Sequence, residues 1–433
     1  MDATAAPPLK PAWLLVLSVA VVATSLVWQG WDMFVARDRS LLMGSDDSYH
    51  YFWLPTVVID HDLDFTNQVK QSEVFGADLR HYALTQPPTA TGLPPIKYPP
   101  GWALGSLPFF LLAHGLAPAG STGLEPLYVT TVWGGQLLYA AFGLWLATLI
   151  LARYFPMPVA RMAVLAGWLA SPMVYYQSVR IAMSHSQVFA LGMAVFWLSL
   201  EIHERRARTW HWALFGFCAA LLVVTRNVAA VYLFLPAWMT MPKLRSFRAA
   251  AALVLGAAPP LLVQLGAWKI MFGSWLVYSY GKERFDFTQL HLTEVLFSPR
   301  HGWFYWHPLT LPAMGAFLLW ARGQVAGRIW LGSLALNTLL YAAWPTWWLG
   351  LSFGHRGFEL ATFVAMIGLA WLTEAARAQP GAWRALQAML VTAIAWNLTL
   401  FALFIPHKIP GEDPVTYGDM LKAAAQWMGL GPH

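Results

Sequence analysis

The chain has 433 residues, of which 58% are hydrophobic and only 11% are charged, with a formal net charge of +6 and a mean hydropathy of +0.49. Soluble domains are about half apolar and about a quarter charged, so this composition excludes an ordinary soluble protein and indicates a polytopic membrane protein. The basic residues form no run and the single cysteine, Cys218, excludes an internal disulfide, so neither nucleic-acid binding nor a disulfide framework is expected.

Apolar stretches follow one another along most of the chain. A spanning helix needs about 20 mostly apolar residues. We predict about eleven spans, over residues 12–30, 126–152, 162–178, 186–202, 211–225, 228–241, 249–272, 308–321, 329–347, 358–374 and 385–404. The expected fold class is therefore an all-α transmembrane bundle. Residues 1–404 would form the membrane domain, and residues 405–433 a short tail without a soluble domain.

The distribution of lysine and arginine predicts an orientation. The short basic loops fall on the same side as the N-terminus and Lys10; they are residues 153–161, 203–211, 242–248, 321–328 and 374–384. Basic short loops mark the cytoplasmic side. The segment 31–98, with nine acidic and five basic residues, would lie outside.

One further apolar segment, residues 99–117, tests this orientation. If it crossed the membrane, every later basic loop would face outwards. We therefore predict an interfacial or re-entrant helix there, whose prolines and glycines suit entry into the bilayer without crossing. Residues 31–117 would then form a first outer loop that contains interfacial helices.

Polar residues gather at the predicted outer ends of the spans. The carboxylates Asp46 and Asp47 follow the first span, and the others are Lys97, Arg180, His185, Arg226, Arg300, His301, His307, His355 and Arg356. Ionisable groups at membrane depth are costly unless they face a polar cavity, which predicts one wet outer pocket. There a carboxylate suits a general base and the cations suit a phosphate. Helix capping by the carboxylates and anchoring of helix ends by the cations are the simpler alternatives.

Five stretches resemble the GT-C glycosyltransferases, in particular the aminoarabinose and protein O-mannosyl transferases. They are "GSDDSYHYFWLPTVVIDHDLDF" (44–65), "IKYPPGWALGSLPFFLLAH" (96–114), "GFCAALLVVTRNVAAVYLFLP" (216–236), "VLFSPRHGWFYWHPL" (295–309) and "WWLGLSFGHRGFEL" (347–360). The family's acidic pair after the first span is usually Asp-Glu, and here it reads Asp46-Asp47. The family's Lys-Pro-Pro stretch is interrupted here by Tyr98. The resemblance rests on the order of these five stretches and on their common predicted side of the membrane more than on any single motif.

The resemblance implies a membrane enzyme that transfers a sugar from a polyprenyl-phosphate carrier to an acceptor outside the cytoplasm, with inversion at the sugar carbon. By position Asp46 matches the family's catalytic aspartate and Asp47 its glutamate, and which of them is the base stays open. The expected substrate and phosphate contacts are Lys97, Tyr98, Arg180, His185, Arg226, Arg300, His355 and Arg356. In a bacterial host the carrier would be undecaprenyl phosphate and the location the inner membrane. The expected partners are this donor, membrane lipids and an acceptor of unknown class.

No cofactor is expected, and no metal site is predicted. Mg²⁺ or Mn²⁺ at the Asp pair is chemically possible, but it is not favoured, because the relatives by motif mostly work without one. A lipid or glycan transporter or flippase is the alternative function, since it too needs charge near the membrane; the absence of an internal repeat weighs against it. A catalytically silent member or assembly subunit is the third reading.

Overall fold

The computed structural model describes residues 11–31, 42, 44–72, 77–204 and 207–430. Lys10, and Arg205 and Arg206 of one predicted basic loop, lie outside these residues. The described chain is all-α. Its α-helices, numbered in chain order, are α1 (Pro11–Trp31), α2 (Ser45–Pro55), α3 (Thr66–Gln71), α4 (Ala77–Leu84), α5 (Gly101–His114), α6 (Pro126–Leu151), α7 (Met157–Leu169), α8 (Met173–Tyr176), α9 (His185–Glu204), α10 (Thr209–Thr225), α11 (Phe234–Thr240), α12 (Phe247–Phe272), α13 (Leu292–Phe297), α14 (Trp303–Trp306), α15 (Thr310–Ala321), α16 (Val325–Ala342), α17 (Glu359–Ala376), α18 (Pro380–Phe404) and α19 (Tyr417–Trp427).

Several of these helices are long and apolar enough to cross a bilayer, which makes the chain an integral membrane protein. Within the described residues there are six: α1, α6, α9, α12, α17 and α18. Shorter apolar helices are α5, α7, α10 and α15. The predicted all-α membrane fold is thus confirmed, whereas the count of eleven spans and the orientation stay predictions.

Two predicted spans take a different form in the structure. Residues 228–241 do not form one helix: a 3-10 helix over Asn227–Leu233 precedes the short α11. Residues 162–178 are divided between α7 and the single turn of α8. Both stretches are apolar and largely helical, as predicted, but hydropathy carries no information on where the backbone hydrogen-bonding pattern changes.

The chain divides into two compact units. The first comprises Met1–Arg39, Leu144–Val179 and Arg284–His433, and the second Ser40–Gly143 and Arg180–Glu283. In the first unit α17 packs against α7 and α15. There Asn397 of α18 donates to the carbonyl oxygens of Leu169 and Ser171 at 2.7 and 3.0 Å, which satisfies carbonyls at and just after the end of α7.

In the second unit α10 packs against α9, α12 and α5, and α5 also packs on α2. Aromatic side chains from α2 and α5, including Tyr51, Phe52, Trp102 and Phe110, form the buried core between the shorter helices. The 14 residues of α5 extend about 21 Å, less than the roughly 30 Å of a bilayer core. This length suits the predicted interfacial helix at 99–117.

Candidate active site

The two adjacent carboxylates lie in the first turn of α2 but in different environments. Asp47 is fully buried, whereas Asp46 is only partly buried. Neighbouring residues of a helix are rotated by about 100° from each other, so one carboxylate can point into the protein while the next reaches an opening. Both also lie where the positive end of the helix dipole stabilises an anion.

Asp47 forms a buried ion pair with Arg180. The Arg180 Nε and Nη2 atoms donate to Asp47 Oδ2 at 3.2 and 3.1 Å. A Cβ atom on Gly44 would lie 2.9 Å from Arg180 Nη2, so a residue without a side chain lets the guanidinium approach the start of α2. Arg180, predicted as a phosphate contact, therefore ties the start of α2 to the segment before α9.

Asp46 accepts a hydrogen bond from the hydroxyl of Tyr98. Tyr98 is itself held from several directions. Trp53 Nε1 donates to its carbonyl oxygen at 3.2 Å, the Tyr49 ring stacks on it at 5.8 Å between centroids, and the His50 ring lies at 4.9 Å. The tyrosine that interrupts the Lys-Pro-Pro stretch thus positions the more accessible carboxylate.

Lys97 pairs with an acidic residue that was not predicted. Its Nζ atom lies 2.9 Å from Glu283 Oε1, and the two side chains are 37% and 44% exposed. Ser279 Oγ donates to the Lys97 carbonyl oxygen at 2.9 Å, so the loop after α12 is fixed beside the start of α5. Because 186 positions separate Lys97 from Glu283, no local pattern in the sequence could reveal this pair.

Two further predicted site residues, His185 and Arg226, lie close together. Arg226 Nη1 and His185 Nδ1 lie 3.5 Å apart. Gln187, another residue that was not predicted, donates from Nε2 to Gly101 O at 3.0 Å and Thr225 Oγ1 at 3.2 Å.

The close crossing of α5 and α10 brings Arg226, which follows α10, towards the segment that precedes α5. A Cβ atom on Gly101 would lie 2.3 Å from the backbone nitrogen of Thr225, so only glycine allows this approach. Arg226 follows Thr225, and Tyr98 lies three residues before Gly101. The crossing therefore places the end of α10 against the chain that carries Lys97 and Tyr98.

An apolar cavity of about 300 Å³ lies beside this cluster. Trp53, whose indole nitrogen holds Tyr98, is one wall of it, and the start of α5 and the end of α12 form the others. The lining is entirely hydrophobic or glycine: Trp53, Leu54, Val57, Val58, Leu63, Pro100, Ala103, Leu104, Leu107, Val263, Gly266, Ala267 and Ile270. Such a cavity accepts a hydrocarbon chain rather than a sugar.

The remaining predicted residues belong to the other unit. The Arg300 guanidinium lies 3.7 Å from the centre of the Trp348 ring, and its Nε donates to Glu412 O at 2.6 Å. His355 is fully buried, with Nε2 2.9 Å from Trp347 O, and it accepts from the backbone of Gly357 at 3.4 Å.

His301 lies near two predicted phosphate contacts of this unit, Arg300 and Arg356. It is buried, with Nδ1 2.8 Å from the carbonyl oxygen of Trp348. Burial lowers the pKa of His301 to about 4, and the positive charges of Arg300 and Arg356 add to the effect. Both guanidinium groups thus lie near this histidine. Their contact with a phosphate stays a prediction.

Among the residues that the structure describes, no group of three or more His, Cys, Asp or Glu side chains is arranged to hold a metal ion.

Comparison with known proteins gives a likeness of fold alone. No family model matches the chain. No curated protein matches it. Two crystal structures of ArnT from Cupriavidus metallidurans are similar, one in the apo state with a TM-score of 0.49 and one bound to undecaprenyl phosphate with a TM-score of 0.48. Both are 15% identical to this chain. The apo structure covers 97% of this chain and the bound structure covers 96% of it. In each case this chain covers 75% of the ArnT chain.

Proposed function

We propose that the chain is a membrane glycosyltransferase that transfers a sugar from a polyprenyl-phosphate carrier to an acceptor. The observation that carries the proposal is the setting of Asp46: a partly buried carboxylate held by the hydroxyl of Tyr98, whose carbonyl oxygen is held by Trp53, a wall of a wholly apolar cavity of about 300 Å³. A carboxylate linked through one tyrosine to the wall of an apolar cavity suits a reaction on the polar end of a lipid.

Asp46 is the proposed general base. It would accept the proton from the acceptor hydroxyl as the oxygen attacks the sugar carbon, while the bond to the carrier phosphate breaks with inversion. Asp47 is unsuited to this step, because its Oδ2 atom accepts two hydrogen bonds from Arg180 in a buried pair. The pair instead holds α2 in place, so that Asp46 keeps its orientation.

Lys97 and Arg226 are the proposed phosphate contacts in the second unit. A departing phosphate gains negative charge in the transition state, and fixed cations aimed at this charge lower the barrier. Lys97 lies one residue from Tyr98, and a phosphate that reached it would compete with Glu283 for its ammonium group. His185, 3.5 Å from Arg226, would orient that guanidinium. Arg300, His355 and Arg356 remain proposed contacts on the other unit.

The carrier's isoprenoid tail is proposed to occupy the apolar cavity between α2, α5 and α12. A tail there would lie against Trp53, Val263 and Ile270. The orientation proposed from the basic loops puts this end of the unit on the non-cytoplasmic side of the membrane. The sugar and the acceptor are not specified by these residues.

The experiment that tests the proposal measures the release of free polyprenyl phosphate. Wild-type protein and Asp46→Asn are reconstituted in liposomes with a panel of polyprenyl-phosphate sugars and membrane extract as acceptor, and free polyprenyl phosphate is measured by mass spectrometry. Asp46→Asn should release it 10²- to 10⁴-fold more slowly, the range typical of a lost general base.

Asp62→Asn is the matched control, because Asp62 is an exposed acid of the same segment whose Oδ1 accepts only a local backbone hydrogen bond in the contacts described. It should keep full activity. Equal release by Asp46→Asn and wild type would overturn the assignment of the base. Movement of intact donor across the membrane without release would instead support the flippase alternative.

A further inference from the structure

A second cavity, also of about 300 Å³, lies at the other end of the helices that carry the candidate site. It is formed where α9 ends and where α10 and α12 begin. The 20 residues of α9 extend about 30 Å, close to the thickness of the hydrocarbon core of a bilayer. His185 lies at one end of α9 and Ile202, which lines the second cavity, lies near the other.

The lining of this cavity is suited to an anion. Lys243 and Arg245 contribute two positive charges, and Thr209 and Ser246 contribute hydroxyl groups. Ser246 Oγ accepts from the backbone nitrogen of Ala249 at 3.1 Å, so its own proton is directed to a different acceptor. Among the described residues that line the cavity none is acidic. A phosphate would therefore meet cations and donors without an opposing carboxylate.

The surroundings of the cavity favour a lipid over a soluble anion. Exposed apolar side chains flank the basic residues: Phe247 is 87% exposed, and Trp210 and Met241 are also exposed. Large apolar side chains next to lysine and arginine are typical of the membrane interface, where the cations reach the headgroups. Trp212 and Ile202 add apolar wall to the cavity itself.

We infer that this cavity binds the phosphate headgroup of an anionic phospholipid. The site would be about one membrane thickness from His185, and so in the opposite leaflet, which the basic loops predict to be cytoplasmic. Clusters of basic residues near the ends of spanning helices recognise anionic lipid headgroups by this chemistry. The inference does not depend on sugar transfer, and it gives the segment 242–248 a function beyond setting the orientation.

The test compares lipid retention by variants of the full chain. Wild-type protein is exchanged into detergent with equal amounts of phosphatidylglycerol and phosphatidylcholine, and bound lipid is counted by native mass spectrometry. A Lys243→Gln, Arg245→Gln double variant should bind phosphatidylglycerol about thirtyfold more weakly, as expected for two charges near the surface. The charge-matched control is Arg322→Gln, Arg328→Gln, which removes two exposed arginines outside the cavity and should bind like wild type.

A second variant tests the cavity without removing charge. Ala207→Trp would fill the space next to Thr209 and should weaken phosphatidylglycerol binding while Lys243 and Arg245 remain. Retention of phosphatidylglycerol by the double variant at the wild-type level, or equal loss in the charge-matched control, would overturn the inference. Displacement of the lipid by millimolar inorganic phosphate alone would identify a soluble anion as the ligand and would also overturn it.

Discussion

The buried pair of Asp47 and Arg180 predicts a large loss of stability when either partner is neutralised alone. Asp47 is fully buried and the Arg180 side chain is only 7% exposed, so removing one charge leaves the other in a medium that solvates it poorly. Breaking a buried pair costs about 3–5 kcal/mol, whereas replacing both partners by apolar groups of similar volume is often close to neutral. We therefore expect Asp47→Leu and Arg180→Met to be strongly destabilised.

The assay is denaturant unfolding in detergent, followed by tryptophan fluorescence, with the double variant Asp47→Leu, Arg180→Met measured beside the single ones. The double variant should recover most of the loss. Lys97→Met is the comparison, because it removes the exposed pair with Glu283 and should cost at most about 1 kcal/mol. If Asp47→Leu costs as little as Lys97→Met, or if the two single losses simply add in the double variant, the structural assignment of Asp47 is refuted.

Three further predictions concern the base, the lipid and pH. Tyr98→Phe removes the hydroxyl that donates to the proposed base, and it should slow carrier release about tenfold or more, as expected for a hydrogen bond to a charged group, without weakening donor binding in a lipid-retention assay. Leu104→Trp narrows the apolar cavity and should raise the KM for the lipid donor, whereas Leu111→Trp, on the exposed face of the same helix, should leave it unchanged in the same titration. Because the pKa of His301 falls from 6.5 to about 4 on folding, the unfolded chain binds more protons between these values, so stability should be full above pH 6.5 and fall by about 3 kcal/mol towards pH 4. His301→Gln should remove this part of the pH dependence of unfolding, while the buried His307, whose pKa burial lowers to about 3, keeps its own part and the variant of an exposed histidine, His81→Gln, should keep both.

Most of the helices were predictable from apolar composition, because a bilayer demands long runs of hydrophobic residues and the chain supplies them. The predicted span 12–30 matches α1 (Pro11–Trp31), and 385–404 falls within α18. The change to a 3-10 helix after Arg226 was not predictable from composition; the end of α10 before it contacts Gly101 and Gln187, which are distant in the sequence.

The candidate site was predictable as a set of residues but not as a set of pairs. The sequence singled out Asp46, Asp47 and Arg180 by charge at the predicted membrane surface. It could not show which carboxylate Arg180 would neutralise. Asp46 and Asp47 are the same residue type, and they differ only in the direction in which their side chains leave the helix. Glu283 was missed for a related reason: only the folded loop after α12 brings it to Lys97.

The central claim is that Asp46 lies where a lipid-linked sugar presents its reacting carbon. The most direct measurement is a cryo-electron microscopy structure of Asp46→Asn in nanodiscs with a polyprenyl-phosphate sugar. We expect lipid density in the cavity lined by Trp53, Leu104 and Val263, the phosphate at Lys97 with Glu283 displaced, and the sugar against Asn at position 46. Density that leaves this cavity empty, or a phosphate bound far from Lys97 and position 46, would contradict the account.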